Sequence, residues 1–223
     1  MKLETILLGR VIRTVRFIGR PGGLYLHDAN KTLIERYGFV NVPTKLEEYD
    51  ENKGVTFRHG KFSVRTAEGT RDIVIDSFQV FNNGLLADTR SDTADADQFL
   101  DDVITWGMKT WGAIIHDSQP MEKTFLSNLE ISLTKPLATY LPSSGLLGGE
   151  ISRYLTAYGL KHESYEATGL VLHFDKTTLP NSLLTNFTLA RREGVPFKTG
   201  LFFSSAPLKT ADHIALIEKL DKT

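Results

Sequence analysis

Cysteine is absent from the 223 residues of this chain, which excludes disulfides, thiolate metal sites and cysteine nucleophiles together. Long apolar runs are absent as well. The first apolar stretch lies between Glu4 and Arg10, too short for a secretory core, and no later one nears the roughly eighteen apolar residues of a membrane-crossing helix. A cytoplasmic protein without a membrane segment is expected. Charge of one sign is not in excess: 26 Lys and Arg against 27 Asp and Glu leave a net charge of −1, so no global basic field draws the chain to nucleic acid, although a local basic patch stays open. No low-complexity linker divides the sequence.

What is present is ordinary in bulk, 41% hydrophobic and 24% charged, and long enough for one domain or two small ones with a buried core. Residues 71–111 are the most legible stretch. Ile73, Phe78 and Val80, then Leu85 and Leu86, sit in β-branched and aromatic segments on either side of Asn82-Asn83-Gly84. That triplet can supply the positive φ angles of a tight turn, so a hairpin is predicted. Past Arg90 the period changes. Ser91, Asp92 or Thr93 can cap a helix, Asp95 and Asp97 suit the positive end of its dipole, and Phe99, Leu100, Val103, Ile104, Trp106 and Trp111 recur at three- and four-residue steps. About nineteen residues of helix, roughly 28 Å long, would lie across the sheet that contains the hairpin.

Around this stretch, residues 4–18 predict a strand interrupted at Gly9, residues 19–23 a Gly/Pro loop, and Asp28 the start of a short helix ending near Tyr37, with Leu33 and Ile34 on its apolar side. Residues 42–54 are polar and acidic and belong on the surface. Strands at 55–58 and 61–65 flank His59-Gly60, a two-residue turn signal, so that 55–90 reads as a four-stranded meander. In the second half, 125–133 alternate as a half-buried strand. Ser143 or Ser144 caps a helix through Gly159 that carries Leu147, Ile151, Tyr154, Leu155 and Tyr158. Strands follow near 163–174, 183–191 and 198–203, then a helix over 211–220 with Ile214, Ile217 and Leu220 as its buried stripe. The expected class is α+β, antiparallel sheets packed by a few helices, as two similar β-α-β(3-4)-α subdomains in one compact unit. Residues 1–111 and 123–223 form the subdomains and 112–122 the connector. Their element order repeats without convincing residue identity.

Candidate chemistry is sparse. Asp88, Asp92, Asp95, Asp97, Asp101 and Asp102 invite a hard cation, but the spacing lacks a glycine-centred calcium loop, and capping accounts better for Asp92, Asp95 and Asp97. No metal and no cofactor are implied. None of the six histidines pairs at i, i+2 or i, i+4. His173 and Asp175 share one face of a predicted strand and form the best acid-base pair on offer, with His213 as a third member. The glycine loop at 19–23 lacks the Gly-Lys-Ser/Thr of a phosphate cradle. The His-Asp dipeptides at 27–28 and 116–117, which occur in metal-dependent phosphohydrolases, fall in predicted loops, as does Glu51-Asn52-Lys53 with its nuclease-like Glu-x-Lys. No serine sits in a Gly-x-Ser-x-Gly elbow. Arg191, Arg192 and Lys198, interleaved with Phe187, Phe197, Phe202 and Phe203, could hold an anion or a nucleic-acid strand, a composition that a core strand shares.

The leading expectation is therefore a noncatalytic protein–protein interaction or assembly subunit. It would self-associate or join a larger complex through sheet edges or the aromatic face of the long helix. The alternative is a phosphodiester-directed enzyme or nucleic-acid binder centred on His173, Asp175, Arg191, Arg192 and His213. A phage or mobile-element accessory protein is a third reading.

Overall fold

The computed structural model describes residues 1–15, 17–18, 26–66, 69–112, 114–115, 121–161, 165–178 and 183–222. In chain order the elements are β1 (Lys2–Thr14), β2 (Phe17–Ile18), α1 (Leu26–Tyr37), β3 (Val55–Thr66), β4 (Gly69–Phe81), β5 (Gly84–Thr89), α2 (Thr93–Trp111), β6 (Ile114–Ile115), β7 (Lys123–Ser132), α3 (Leu137–Tyr140), α4 (Pro142–Ala157), β8 (Gly169–Leu172), β9 (Phe187–Arg191), β10 (Leu201–Ala206) and α5 (Thr210–Lys222). Short 3-10 turns occupy Leu46–Tyr49 and Phe197–Thr199. The fold is α+β, with an eight-stranded antiparallel sheet in the order β3-β4-β5-β1-β7-β10-β9-β8 and a two-stranded pair, β2-β6. Two compact units divide the chain. One comprises Ile6–Ser127 and Pro207–Thr210, here the first-half unit; the second-half unit comprises Met1–Thr5, Asn128–Ala206 and Ala211–Thr223.

In the first-half unit the hairpin and long helix form as their periodicities predict. β4 returns into β5 with Phe81 opposite Gly84, and α2 runs 19 residues from an N-cap at Asp92, whose carboxylate accepts the Ala94 N–H at 2.8 Å, to Gly112 in the left-handed conformation. Three details differ. Neither Asn82 nor Asn83 takes a positive φ; Gly84 is needed for closeness, since a Cβ there would lie 2.6 Å from the Arg13 carbonyl oxygen. His59-Gly60 is no turn, because β3 runs through it and pairs with β4 from Val55 to Thr66. Gly60 instead admits the Phe39 ring, which would sit 2.4 Å from an added Cβ, so 55–90 holds three strands rather than four. Nor does Gly9 break β1: a Cβ there would meet the Ser91 carbonyl oxygen at 2.3 Å, and glycine lets the entry to α2 approach the strand.

The core of this unit is aromatic. Phe99 of α2 stands edge-on to Phe78, with centroids 5.4 Å apart, and to Phe62 at 5.7 Å, while Tyr37 from α1 meets Phe99 at 5.0 Å. Ala29, Leu33 and Tyr37 bury one face of α1, and Phe99, Leu100, Val103 and Ile104 bury one face of α2. Trp106 and Trp111 pack against this cluster, 4.7 Å apart, with the Arg36 guanidinium over Trp106 at 5.1 Å.

The second-half unit repeats the connectivity with fewer buried residues. Each unit starts with a strand, crosses by helix to the far edge, and returns through two more strands, the last lying beside the first: β1 with order β3-β4-β5-β1, and β7 with order β8-β9-β10-β7. A helix follows in both, and both helices begin with Thr-Ala-Asp, at 93–95 and 210–212. The two threonines cap each other: the Thr93 N–H donates to Thr210 Oγ1 at 3.0 Å and the Thr210 N–H to Thr93 Oγ1 at 2.9 Å. The predicted serine cap at 143 or 144 is replaced by Leu141, with Pro142 in the first helical position. One turn of helix, α3, precedes it.

Candidate functional site

The residues singled out for chemistry are largely held in structural bonds. Arg10 chelates Asp88 at 2.6 and 2.9 Å. Arg13, 1% exposed, is held between Asp97 and Asp101 and also donates to the Asp97 carbonyl at 2.8 Å. Asp97 takes a second cation, Lys123, at 3.0 Å, Asp95 pairs with Arg71 at 2.5 Å, and Asp102 accepts from Arg36 and from the Tyr37 hydroxyl at 2.7 Å. The acidic run along α2 is thus matched by arginines from β1, α1 and β4. Among the described residues no group of three or more His, Asp or Glu is placed to hold a metal ion. Burial, with the Asp102 carboxylate beside it, pushes the Tyr37 phenol far above its ordinary range.

His173 and Asp175 lie on the solvent side of the chain after β8, and the Asp175 carboxylate is occupied in a turn, accepting the Thr177 N–H at 2.8 Å and its hydroxyl at 2.6 Å. These bonds hold its carboxyl below the usual range. His213 is fully buried on α5, sharing a 2.8 Å hydrogen bond between Nε2 and Ser204 Oγ, with the Phe187 ring edge-on at 6.2 Å. Arg191 is buried, donating to the Phe197 carbonyl at 2.6 Å and pairing with Glu166 at 3.2 Å, its guanidinium 4.2 Å from the Phe197 ring centre. Arg192 pairs with Glu130 and lies over Phe203 at 5.8 Å. Lys198 is exposed in the 3-10 turn, not in a strand. His213 lies in the core while His173, Asp175 and Lys198 face solvent, so the structure does not gather the six around one surface. His27-Asp28 falls within α1 rather than a loop; the glycine loop at 19–23, His116-Asp117 and His162 lie outside the described residues.

A polar cluster closes the second-half unit around Asp221 of α5. Its carboxylate takes the Thr134 N–H at 2.9 Å, the Thr134 hydroxyl at 3.0 Å, the Tyr140 hydroxyl at 2.8 Å and the Met1 amino group. Burial opposes its charge, but these donors outweigh burial and hold its carboxyl well below the ordinary range. The same burial, with Asp221 as neighbour, pushes the Tyr140 phenol up to about 12. Thr210, His213, Ile217 and Asp221 make the buried stripe of α5, which is more polar than the Ile214, Ile217 and Leu220 stripe read from periodicity.

The feature left open to solvent is α4. Of its sixteen described residues only Gly148 is buried, while Leu146, Leu147, Ile151, Tyr154 and the following Tyr158 are between 42% and 75% exposed. The reason is local. Ser144, Gly148, Ser152 and Leu155 form the inner face, and Gly148 approaches so closely that a Cβ would lie 2.2 Å from the Tyr165 carbonyl oxygen. No larger side chain fits there, which holds the apolar flank outward. Arg153 bonds Glu150 at 2.7 Å and covers the Tyr154 ring at 4.4 Å. In the same unit, the four-residue strand β8 ends the sheet order, with Val171 and Leu172 more than half exposed. The signal in the sequence was the run of small residues at 144, 148 and 152, which competes with the apolar residues for the inner face.

Comparison with known proteins adds no relative: no protein-family model matches the chain, and no curated protein matches it in sequence.

Proposed function

We propose that this chain is a noncatalytic assembly subunit that binds another protein surface through its second-half unit. The observation that carries the reading is the apolar flank of α4, held in solvent by the close approach of Gly148 to Tyr165. Soluble monomers seldom leave a contiguous apolar patch of this kind uncovered, and covering a large apolar side chain stabilises by about 1.5–3 kcal/mol. The two tryptophans of α2 do not serve this role, because they pack on their own unit. Supporting the binding reading over chemistry, Asp175 is engaged in a turn, His213 in the core, and Arg191 and Arg192 in ion pairs with Glu166 and Glu130.

Tyrosine-selective labelling in native extract of the producing cells, followed by mass spectrometry, tests the reading. Tyr154 and Tyr158 are expected to be protected in extract and reactive in the isolated chain at high dilution. Full reactivity in both settings overturns the proposal.

A further inference from the structure

The spacing of the exposed apolar residues on α4 identifies what covers them. Leu147, Ile151, Tyr154 and Tyr158 follow one another at steps of four, three and four, and on an ideal helix they fall within an arc of about 60°. This is the a/d seam of a helix that packs against another helix. The step pattern also reads the same in both directions. Set against a copy of itself running antiparallel, Leu147 meets Tyr158 and Ile151 meets Tyr154, each contact occurring twice. That is the condition for a closed two-fold interface, in which residue i of one copy meets j of the other and j meets i.

Charge and area agree with the same occupant. Glu150 borders the seam, and Arg153, further round on the outer face, is bonded to it in the single chain. Antiparallel pairing brings Glu150 of one copy to within about one helical step or two of Arg153 of the other, so the pairs can exchange across the axis without leaving a charge unmatched. The whole chain carries a net charge of only −1, so two copies do not repel. The exposed parts of Leu147, Ile151, Tyr154 and Tyr158 present on the order of 500 Å², which suits the apolar centre of an interface of roughly 800 Å² per partner.

We propose that the partner for α4 is α4 of a second copy of this chain, packed antiparallel about a two-fold axis between residues 152 and 153. This rests on the assembly reading above and names its partner.

Sedimentation of the purified full chain across a wide concentration range tests it, with a species of twice the 24.9 kDa chain mass expected. Ile151→Asp should raise the dimer dissociation constant by about 100-fold or more, because the two-fold places a carboxylate on each side of an apolar seam. Glu150→Lys should weaken the dimer, and adding Arg153→Glu should restore it; this pair decides the matter if Ile151→Asp fails to fold. Because the chain has no cysteine, the double variant Leu147→Cys with Tyr158→Cys gives a direct geometric readout. The two positions are about 16 Å apart on one helix, so under oxidation they can join only between copies. A concentration-independent monomer, or a dimer indifferent to these changes and not cross-linked, overturns the proposal. If the purified chain is monomeric while Tyr154 and Tyr158 stay protected in extract, a different protein covers α4, and the assembly reading stands without this partner.

Discussion

Helices α1 and α4 hold the same place in the order of the two units, each crossing from the first strand to the far-edge strand, and they treat their apolar residues in opposite ways. α1 sends Ala29, Leu33 and Tyr37 into an aromatic core shared with Phe39, Phe57, Phe78 and Phe99. α4 turns Ser144, Gly148 and Ser152 inward and leaves Leu147, Ile151, Tyr154 and Tyr158 in solvent. The strands differ in step with the helices: β3 is twelve residues long, β8 four. One connectivity therefore supports a unit that closes an aromatic core and another that leaves apolar side chains of its helix in solvent. The interior of the second-half unit holds the Asp221 cluster, the His213–Ser204 bond and the Arg191–Glu166 pair, where the interior of the first is aromatic.

The largest expected effect separates the two units directly. Phe99→Ala should lower the unfolding free energy by about 3–5 kcal/mol through cavity formation, whereas Tyr154→Ala in dilute monomer should change it by less than about 0.5 kcal/mol. Urea denaturation of both variants measures this, and a comparable loss from Tyr154→Ala would mean that α4 buries its apolar flank as α1 does. Next comes the charge network of the first-half unit. Arg13→Met leaves Asp97 and Asp101 without their shared cation, and because Arg13 is enclosed while Asp101 reaches solvent, the cost should be about 2–3 kcal/mol, below that of a fully buried pair.

Two neighbouring glycines test the geometry of α4. Gly148→Ala meets the Tyr165 carbonyl and should cost about 1–3 kcal/mol, with faster amide exchange along the helix. Gly149 has nothing within 4 Å of its Cβ position, so Gly149→Ala should be neutral or stabilising by up to about 1 kcal/mol through helix propensity. Equal effects at the two sites would mean that α4 is not held by that contact.

The smallest effect is a pH dependence. The Asp221 carboxyl is depressed in the folded state, so its contribution is present above the ordinary carboxylate range and lost as pH falls through and below it. Urea midpoints at pH 6 and pH 3 should differ more for the native chain than for Asp221→Asn. A variant that keeps the full acid dependence would remove Asp221 from the account of the second-half unit.

Much of this was legible in the chain itself. The hairpin about Asn82-Asn83, α2 with its Asp92 cap, the alternation of β7 and the closing helix α5 all follow from residues within one or two turns of each other, where steric preference and periodicity act. His59-Gly60 misled because a glycine can mark a turn or a close approach, and the ring it admits, Phe39, lies twenty residues away. The acidic run on α2 looked like caps alone because its arginine partners, Arg13, Arg36 and Arg71, sit on other elements.

Composition and local backbone preference were enough for the α+β class, the absence of thiol chemistry, the hairpin, α2 and α5, whereas among the described residues the strands expected at 163–174 and 183–191 shorten to Gly169–Leu172 and Phe187–Arg191 and the one at 198–203 shifts to Leu201–Ala206. The tertiary structure decided which carboxylate meets which guanidinium, that His213 and Asp221 go inward on α5, and that α4 shows its apolar flank to solvent. Those outcomes turn on contacts between residues far apart in the chain, or, for Gly148 and Tyr165, on a backbone approach so close that one hydrogen in place of a side chain settles which face of a helix is buried.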